Sequence, residues 1–451
     1  MTDPAKTVHR RSLLLGAALA GGGLLTGACT TANAGAAGAG GAPSPPPAPK
    51  FDPRDWKSVR AQFPLTPNLA HFSAFMLSSH PATVTAAITG FRQGLDSNPI
   101  EFGMGMADFE FSSRARQALA KYIGTRPDEI ALTDSATMGI GLMYGGLVLK
   151  EGDEIVTTAH EFYSTYEAVR LRATATGAKV RTIRLYDDPA QARADQMVAK
   201  LKAVITPRTR VLAMTWVHSI TGVKVPIKQV ADMLATINAG RREPERVLLC
   251  VDGVHGFAAE AATVKDLGAD FFVTSTHKWL FGPRGTGFVW GTPAAWRRHR
   301  QIIPSFSMPA FQGWFTGQPP GGAPGDLATP GGYHTFEHRW ALPAAVEFHQ
   351  AIGPARVAEQ IRTQAEQLKA GLAGLRHVRL VTPRSAEVSS GIICCAVQGL
   401  HPEAVAERLV KEHQVAAAAT PYRESYVRFG PSMVTTSQEV DKAISAMAAL
   451  A

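Results

Sequence analysis

The sequence predicts an α/β protein built on a mainly parallel sheet, and three features carry that prediction. Short apolar runs alternate with helical stretches: Glu154–Thr158, Val180–Leu185, Arg210–Thr215, Val247–Val251 and Phe271–Thr274 read as strands, with a helix over Asp195–Ala203 between two of them. Continuous apolar runs of this kind suit strands covered on both faces. Two of these runs end in chemistry: Asp252 follows one, and Ser275-Thr276-His277-Lys278 follows the other. Open α/β sheets bind ligands beyond the carboxyl ends of their strands, so the acid and the lysine are delivered to one edge. The pattern then changes beyond residue 335. Helices over Trp340–Ile352, Ile361–Leu375 and Pro402–His413 surround a strand within Val388–Val397 and predict a smaller α+β domain.

A length of 451 residues with 45% hydrophobic content is ample for two or three domains with sizeable cores. The net charge of +9 is scattered and comes with no nucleic-acid recognition motif, which excludes that class. Residues 1–34 read as a signal segment. Arg10-Arg11-Ser12-Leu13-Leu14 opens an apolar stretch to Leu25 that is too short for a comfortable membrane span. Paired arginines before leucines predict a twin-arginine signal and export of an already folded protein, so the export machinery is an expected partner and the periplasm the expected location. Ala32-Asn33-Ala34 supplies a cleavage site, and Leu24–Cys29 forms an imperfect lipobox that would instead anchor the chain at Cys29. Residues 35–50, rich in Ala, Gly and Pro, form a linker without a core.

From Phe51 the folded part begins, with a helix over Trp56–Pro64, an extended piece at Leu69–Ser73 and a helix opening at Ala82 after Pro81. Residues 51–335 are expected to make the large domain and 336–451 the small one, with 51–70 free to pack on the small domain. A strand over Glu129–Thr133 passes through Asp134-Ser135-Ala136-Thr137 into a helix over Met138–Leu149. Backbone N–H groups at that helix start suit a phosphate, with the Thr137 hydroxyl beside them, and Ser135 or Thr137 can serve as the N-cap at the same time. Gly282-Pro-Arg-Gly-Thr-Gly287 precedes a strand at Phe288–Trp290, so it is a turn and not a dinucleotide loop. Residues 304–335, rich in Gly and Pro, read as one long functional loop. Tyr426–Pro431 and the amphipathic helix Ser437–Leu450 close the chain.

The cysteines form no disulfide framework: Cys250 lies in an apolar strand and Cys394-Cys395 in the apolar run GIICCAV. Neither CxxC nor HExxH occurs, and His334 with His338 is the one histidine pair at helical spacing, so no metal site is expected. Taken singly, Asp252 would be a helix cap and Lys278 a solvated lysine. Taken together with Ser275, His277 and the following Trp279-Leu280-Phe281, they predict a partly desolvated amine suited to imine chemistry.

The arrangement Val251-Asp252-Gly253-Val254-His255, then Ser275-Thr276-His277-Lys278 and a Gly-rich turn, resembles the class V aminotransferases. These are fold-type-I pyridoxal phosphate (PLP) enzymes, a group with isopenicillin N epimerases and cysteine desulfurases. The resemblance implies a mixed, mainly parallel seven-stranded sheet between helices, with a small α+β domain. It implies a Schiff base between PLP and Lys278, whose freed amine then acts as the base at the substrate Cα, with Asp252 on the pyridine nitrogen and His255 beside the ring. Ser135, Ala136 and Thr137, joined by Ser275 and His277, would hold the phosphate. Phe162 is the expected ring stacked on the cofactor, with Tyr163 second. Ser219 stands where the family carries an Asn against the 3′-oxygen, with His218 as a substitute for that contact. Arg428 would fork onto the substrate carboxylate, Arg423 being the weaker alternative. The family also implies a homodimer in which residues 304–335 reach the neighbouring active site.

The expected substrate is an amino acid or peptidyl amine, changed at Cα by transamination, epimerisation or related tailoring. A C–S lyase or desulfurase is the alternative within the enzymes. The thiol that a desulfurase needs is absent from Gln414–Ser425. A non-catalytic periplasmic binding protein on the same fold is the alternative of another class.

Overall fold

The computed structural model describes residues 49–103 and 106–451. The signal segment, Cys29 and the linker as far as residue 48 lie outside the described residues. A short strand, β1 (Ala70–His71), precedes seven strands: β2 (Ile130–Thr133), β3 (Glu154–Thr158), β4 (Lys179–Ile183), β5 (Thr209–Thr215), β6 (Leu248–Asp252), β7 (Phe271–Ser275) and β8 (Gly287–Gly291). These seven form one sheet in the order β2-β8-β7-β6-β5-β3-β4. Strands β7, β6, β5, β3 and β4 are mutually parallel, and β8 runs antiparallel to both β7 and β2. The sheet is mixed and mainly parallel, as expected. The glycine-rich turn after Lys278 is the tight return from β7 to β8, which makes that pair antiparallel.

Alternation explains why the strands are apolar throughout. Leu249, Val251 and Phe272 enter one buried cluster, while their neighbours Leu248, Cys250, Phe271 and Val273 enter another on the opposite face. The helix Ala136–Gly146 lies so close to the sheet that a Cβ on Gly139 would meet Val273 Cγ2 at 2.5 Å. Glycine at that position lets the helix seat against β7, which brings its N-terminus towards the end of the strand that precedes Lys278.

The later part of the chain supplies β9 (Val378–Leu380), β10 (Ile393–Val397), β11 (Val415–Ala416), β12 (Ala418–Ala419) and β13 (Val427–Phe429). Four of them make an antiparallel sheet, β12-β13-β10-β9, and β11 pairs in parallel with β1. The early residues are tied to this region. Arg60 forks onto Glu439 at 2.7 and 3.0 Å, and Arg356 lies over the Trp56 ring at 4.3 Å.

Three elements differ from expectation, one of them the helix expected over Ile361–Leu375, which runs over Pro354–Ala373. In place of the helix expected over Trp340–Ile352 there are two, Phe336–Trp340 and Leu342–Ile352, separated at Ala341. Pro343 has no N–H to offer the carbonyl four residues earlier, so one continuous helix is not available. The stretch 304–335 is not a structureless loop, since it contains helices at Met308–Thr316 and Pro324–Ala328. Each has proline near its first turn, and Gly317 in the left-handed region (φ 66°) closes the first of them.

Candidate active site

Beyond the carboxyl ends of β5, β6 and β7 lies a cleft of about 310 Å³. Asp252 is the last residue of β6, and Lys278 stands three residues after the end of β7. The turn that carries the lysine is held by Gly282 N–H donating to Thr276 O at 2.9 Å and Phe281 N–H to Lys278 O at 3.0 Å. Phe281 adopts a left-handed conformation (φ 58°) that a bulky residue rarely takes. Its ring is buried and meets Phe63 edge-on at 5.0 Å, so packing offsets the strain.

Burial dominates the electrostatics here. It pushes the Lys278 ammonium down to about 8, against the favourable charge of Asp252. It raises the Asp252 carboxyl to about 6, against a 3.0 Å hydrogen bond from Val254 N–H and the charge of Lys278. Near neutral pH the pair is therefore mostly ionised, with an appreciable share of free amine. Desolvation also holds His255 well below its ordinary range and His277 at about 4, so both rings are neutral.

Ser135, Ala136, Thr137, Phe162, Ser219, Asp252, His255, Ser275, His277, Lys278 and Arg428, the residues singled out by the sequence, all line this cleft. Ser135 is also the N-cap of the helix Ala136–Gly146, accepting from Met138 N–H at 3.1 Å, so its capping and cleft-lining positions coexist. Arg428, on β13, is buried. It donates through Nη1 to Ser219 O at 3.1 Å and lies over the Phe75 ring at 4.1 Å.

Other candidates fall elsewhere. His218 is fully buried behind the cleft, with Nδ1 on Tyr186 Oη at 2.9 Å, and so holds a structural position. Tyr163 is 70% exposed and, like the exposed Arg423, does not line the cleft. His334 turns to Asp108 and His338 to Arg284 O, and no metal-ligating cluster occurs among the described residues.

The structure adds residues that sequence reasoning missed. His160 lines the cleft as a buried ring stacked on Tyr186 at 3.9 Å, whereas Phe162 is 40% exposed. Phe75, Met76, Ser164 and Thr215 complete much of the wall. Ser78 fixes the His277 carbonyl through its N–H at 3.0 Å and its hydroxyl at 2.8 Å. Behind the wall Glu161 is wholly buried, accepting from Thr158 Oγ1 at 2.6 Å and from Thr215 Oγ1.

Several buried polar atoms on cleft residues have no protein partner: Ser275 Oγ, His277 Nδ1, His160 Nε2 and Arg428 Nε. Leaving such atoms unpaired is costly: Ser275 Oγ and His277 Nδ1, with the helix N-terminus that also lines the cleft, suit an anionic, phosphorylated ligand, while Arg428 Nε is left for a second anion. Asp252 on the floor and the amine of Lys278 beside it suit a basic ring nitrogen and an aldehyde. The residues present fit PLP.

The profile of the family described as "Aminotransferase class-V" matches residues 78–442. The isopenicillin N epimerase of Streptomyces clavuligerus is 25% identical over 405 residues, covering 88% of this chain and 98% of that protein. A probable cysteine desulfurase of Vibrio cholerae is 24% identical over 418 residues, covering 86% and 97%. Among solved structures, a cystine C–S lyase in complex with cysteine persulfide superposes with a TM-score of 0.76 at 21% identity, over 86% of this chain and 99% of that one. The apo cysteine desulfurase of Thermococcus onnurineus gives 0.73 at 21% identity, over 87% and 97%.

Proposed function

The chain belongs to the class V aminotransferase family, and we propose that it is an exported member acting on the α-amino group of an amino acid or peptidyl amine. As an enzyme of this family it uses PLP, which when bound supplies the electron sink for a bond broken at the substrate Cα. The observation that carries this reading is the half-buried Lys278 amine, lowered to about 8 near Asp252 in a cleft whose donors match a phosphate.

The chain's own residues divide the work. Asp252 would hold a proton on the ring nitrogen, its buried carboxylate being stabilised by a positive partner. Thr137, Ser275, His277 and the N–H groups at the start of the helix Ala136–Gly146 would hold the phosphate. His160 supplies a flat neutral ring in the wall, with Phe162 at the more exposed side. Arg428 would grip the substrate carboxylate through donors that are only partly used now. Lys278, with free amine available near neutral pH, would take and return the Cα proton.

Chemistry at Cα is favoured over desulfuration by the thiols. Cys250, Cys394 and Cys395 are free and buried, and burial holds all three far towards the protonated form. Thiolate attack on a substrate sulfur needs the opposite environment. A non-catalytic binding role would leave the desolvated Lys278 without a purpose. The decisive test is a screen of amino acids against the PLP-loaded protein, following the cofactor's visible absorbance. Shifts with amino acids together with Cα–H exchange support the reading, and a spectrum inert to every α-amine refutes it.

Export rests on Arg10-Arg11-Ser12-Leu13-Leu14 and places the enzyme in the periplasm, with cleavage after Ala34 favoured over anchoring at Cys29. Replacing both arginines by lysine should strand folded protein in the cytoplasm. A homodimer completes the reading. Ile302, Phe306, Met308, Trp314 and Phe315 are left substantially exposed, with Trp314 75% accessible, as suits a face covered by a second copy. Equilibrium sedimentation as a monomer would refute it.

A further inference from the structure

The cleft wall carries a hydroxyl, Ser219, that the proposed chemistry has not used and that is backed by a phenol outside the lining. Strands β12 and β13 are joined by a loop over residues 420–426, closed by Thr420 N–H donating to Tyr426 O at 2.9 Å and Tyr426 N–H to Thr420 Oγ1 at 2.9 Å. Pro421 in this loop lines the cleft. The next residue, Tyr422, hydrogen-bonds through its phenol to the hydroxyl of the cleft residue Ser219. The Tyr422 ring meets Phe162 edge-on at 6.1 Å, and Arg428 sits on the same hairpin. Ser219 is itself fixed. Its carbonyl accepts from Arg428, and the following turn is clamped at Gly222 (φ 73°), where a Cβ would meet Ile392 O at 2.2 Å.

Position is the second observation. In the sheet, β6 lies between β5 and β7. Lys278 follows β7 and Ser219 follows β5, so the amine and the serine hydroxyl reach the cleft from strands on either side of the one that carries Asp252. Removing and returning a proton at one face of Cα needs one carrier. A second carrier on another side of the substrate lets the proton return to the opposite face and so inverts Cα directly.

We propose that Ser219 and Tyr422 form a second proton carrier opposite Lys278, which makes the enzyme an epimerase of an α-amino acid or peptidyl amine. This rests on the function proposed above and names the outcome at Cα. In the forward step Lys278 Nζ takes the Cα proton, and the electron pair left on carbon is shared with the cofactor. Ser219 Oγ–H then donates to Cα from the other flank while Tyr422 Oη–H replaces the serine proton, leaving a phenolate. Water at the cleft mouth carries the extra proton from Lys278 back to Tyr422, so no proton or electron is gained or lost overall. Burial keeps Tyr422 protonated at neutral pH, and the Ser219 hydrogen bond and the Arg428 charge favour the phenolate when it forms. Tyr422 acts through Ser219 and is a positioning residue and proton source.

The test uses full-length PLP-loaded enzyme, a panel of L-α-amino acids and short peptides with a free α-amine in D2O, NMR of the Cα–H and chiral chromatography. Wild type should exchange Cα–H and also yield the D enantiomer. In Tyr422→Phe, and separately in Ser219→Ala, the yield of D product per exchange event should fall at least tenfold, while visible circular dichroism shows that PLP is still bound and far-UV circular dichroism shows that the protein is still folded. Exchange by wild type with an unchanged inversion ratio in both variants overturns the proton carrier and leaves the proposed function standing. Exchange without any D product from wild type also overturns it. Absence of exchange with every amino acid and every peptide of the panel overturns both readings together.

Discussion

Glu161→Gln isolates the cost of a carboxyl group wholly buried behind the cleft. Desolvation raises Glu161 from 4.5 to about 8, and the charge of Asp252 adds to this, against hydrogen bonds from Thr158 and Thr215. The folded protein thus holds a proton on Glu161 that the unfolded chain releases above pH 4.5. Stability from this group is fully present below pH 4.5 and is lost steadily as pH rises towards 8. Spread over that interval at 1.36 kcal/mol per pH unit, the loss is about 5 kcal/mol. Glutamine does not titrate and can still accept from the threonine hydroxyls, which can rotate to suit it. Wild type and Glu161→Gln should therefore unfold at similar urea concentrations at pH 4.5, while the variant should be clearly the more stable at pH 8.5. Parallel pH profiles for the two proteins would refute the argument, because they would mean that Glu161 titrates alike in both states.

Arg428→Ala should raise KM for a carboxylate substrate by about 10- to 150-fold, the equivalent of ~1.5–3 kcal/mol for a charge-assisted contact, and steady-state kinetics would show it. Changing Cys250, Cys394 and Cys395 together to Ala should lower Tm yet spare Cα–H exchange; loss of exchange in folded protein would restore a thiol mechanism. Replacing Phe75 by Leu removes the ring beneath Arg428 and should weaken carboxylate binding by about 2- to 30-fold, as a cation–π contact of ~0.5–2 kcal/mol implies.

Much of the scaffold was legible because it rests on local patterns. The apolar runs of β5, β6 and β7 announce strands buried on both faces, and Asp252 and Lys278 interrupt that apolarity where the strands end. Ser135 was legible as a helix start for the same local reason. What escaped depends on tertiary placement. Glu161 follows His160 in a short polar turn, and nothing in Ala-His-Glu-Phe says that the acid turns inward. His160 and His218 look alike in sequence, yet one lines the cleft and the other lies behind it against Tyr186. Ser219 and Tyr422 are 203 residues apart, so only the folded hairpin brings their hydroxyls together. The helix Met308–Thr316 was hidden by the Gly/Pro composition around it, although Pro309 and Gly317 are what begin and end it.

The central claim is that Lys278 is the amine that holds PLP. Borohydride treatment of the PLP-saturated protein, followed by mass analysis of its peptides, tests this most directly. The account predicts one pyridoxyl-modified lysine, Lys278, with loss of the visible absorbance band and no label in Lys278→Ala. A label on another lysine, or a saturated wild-type protein that takes up no label, would contradict it.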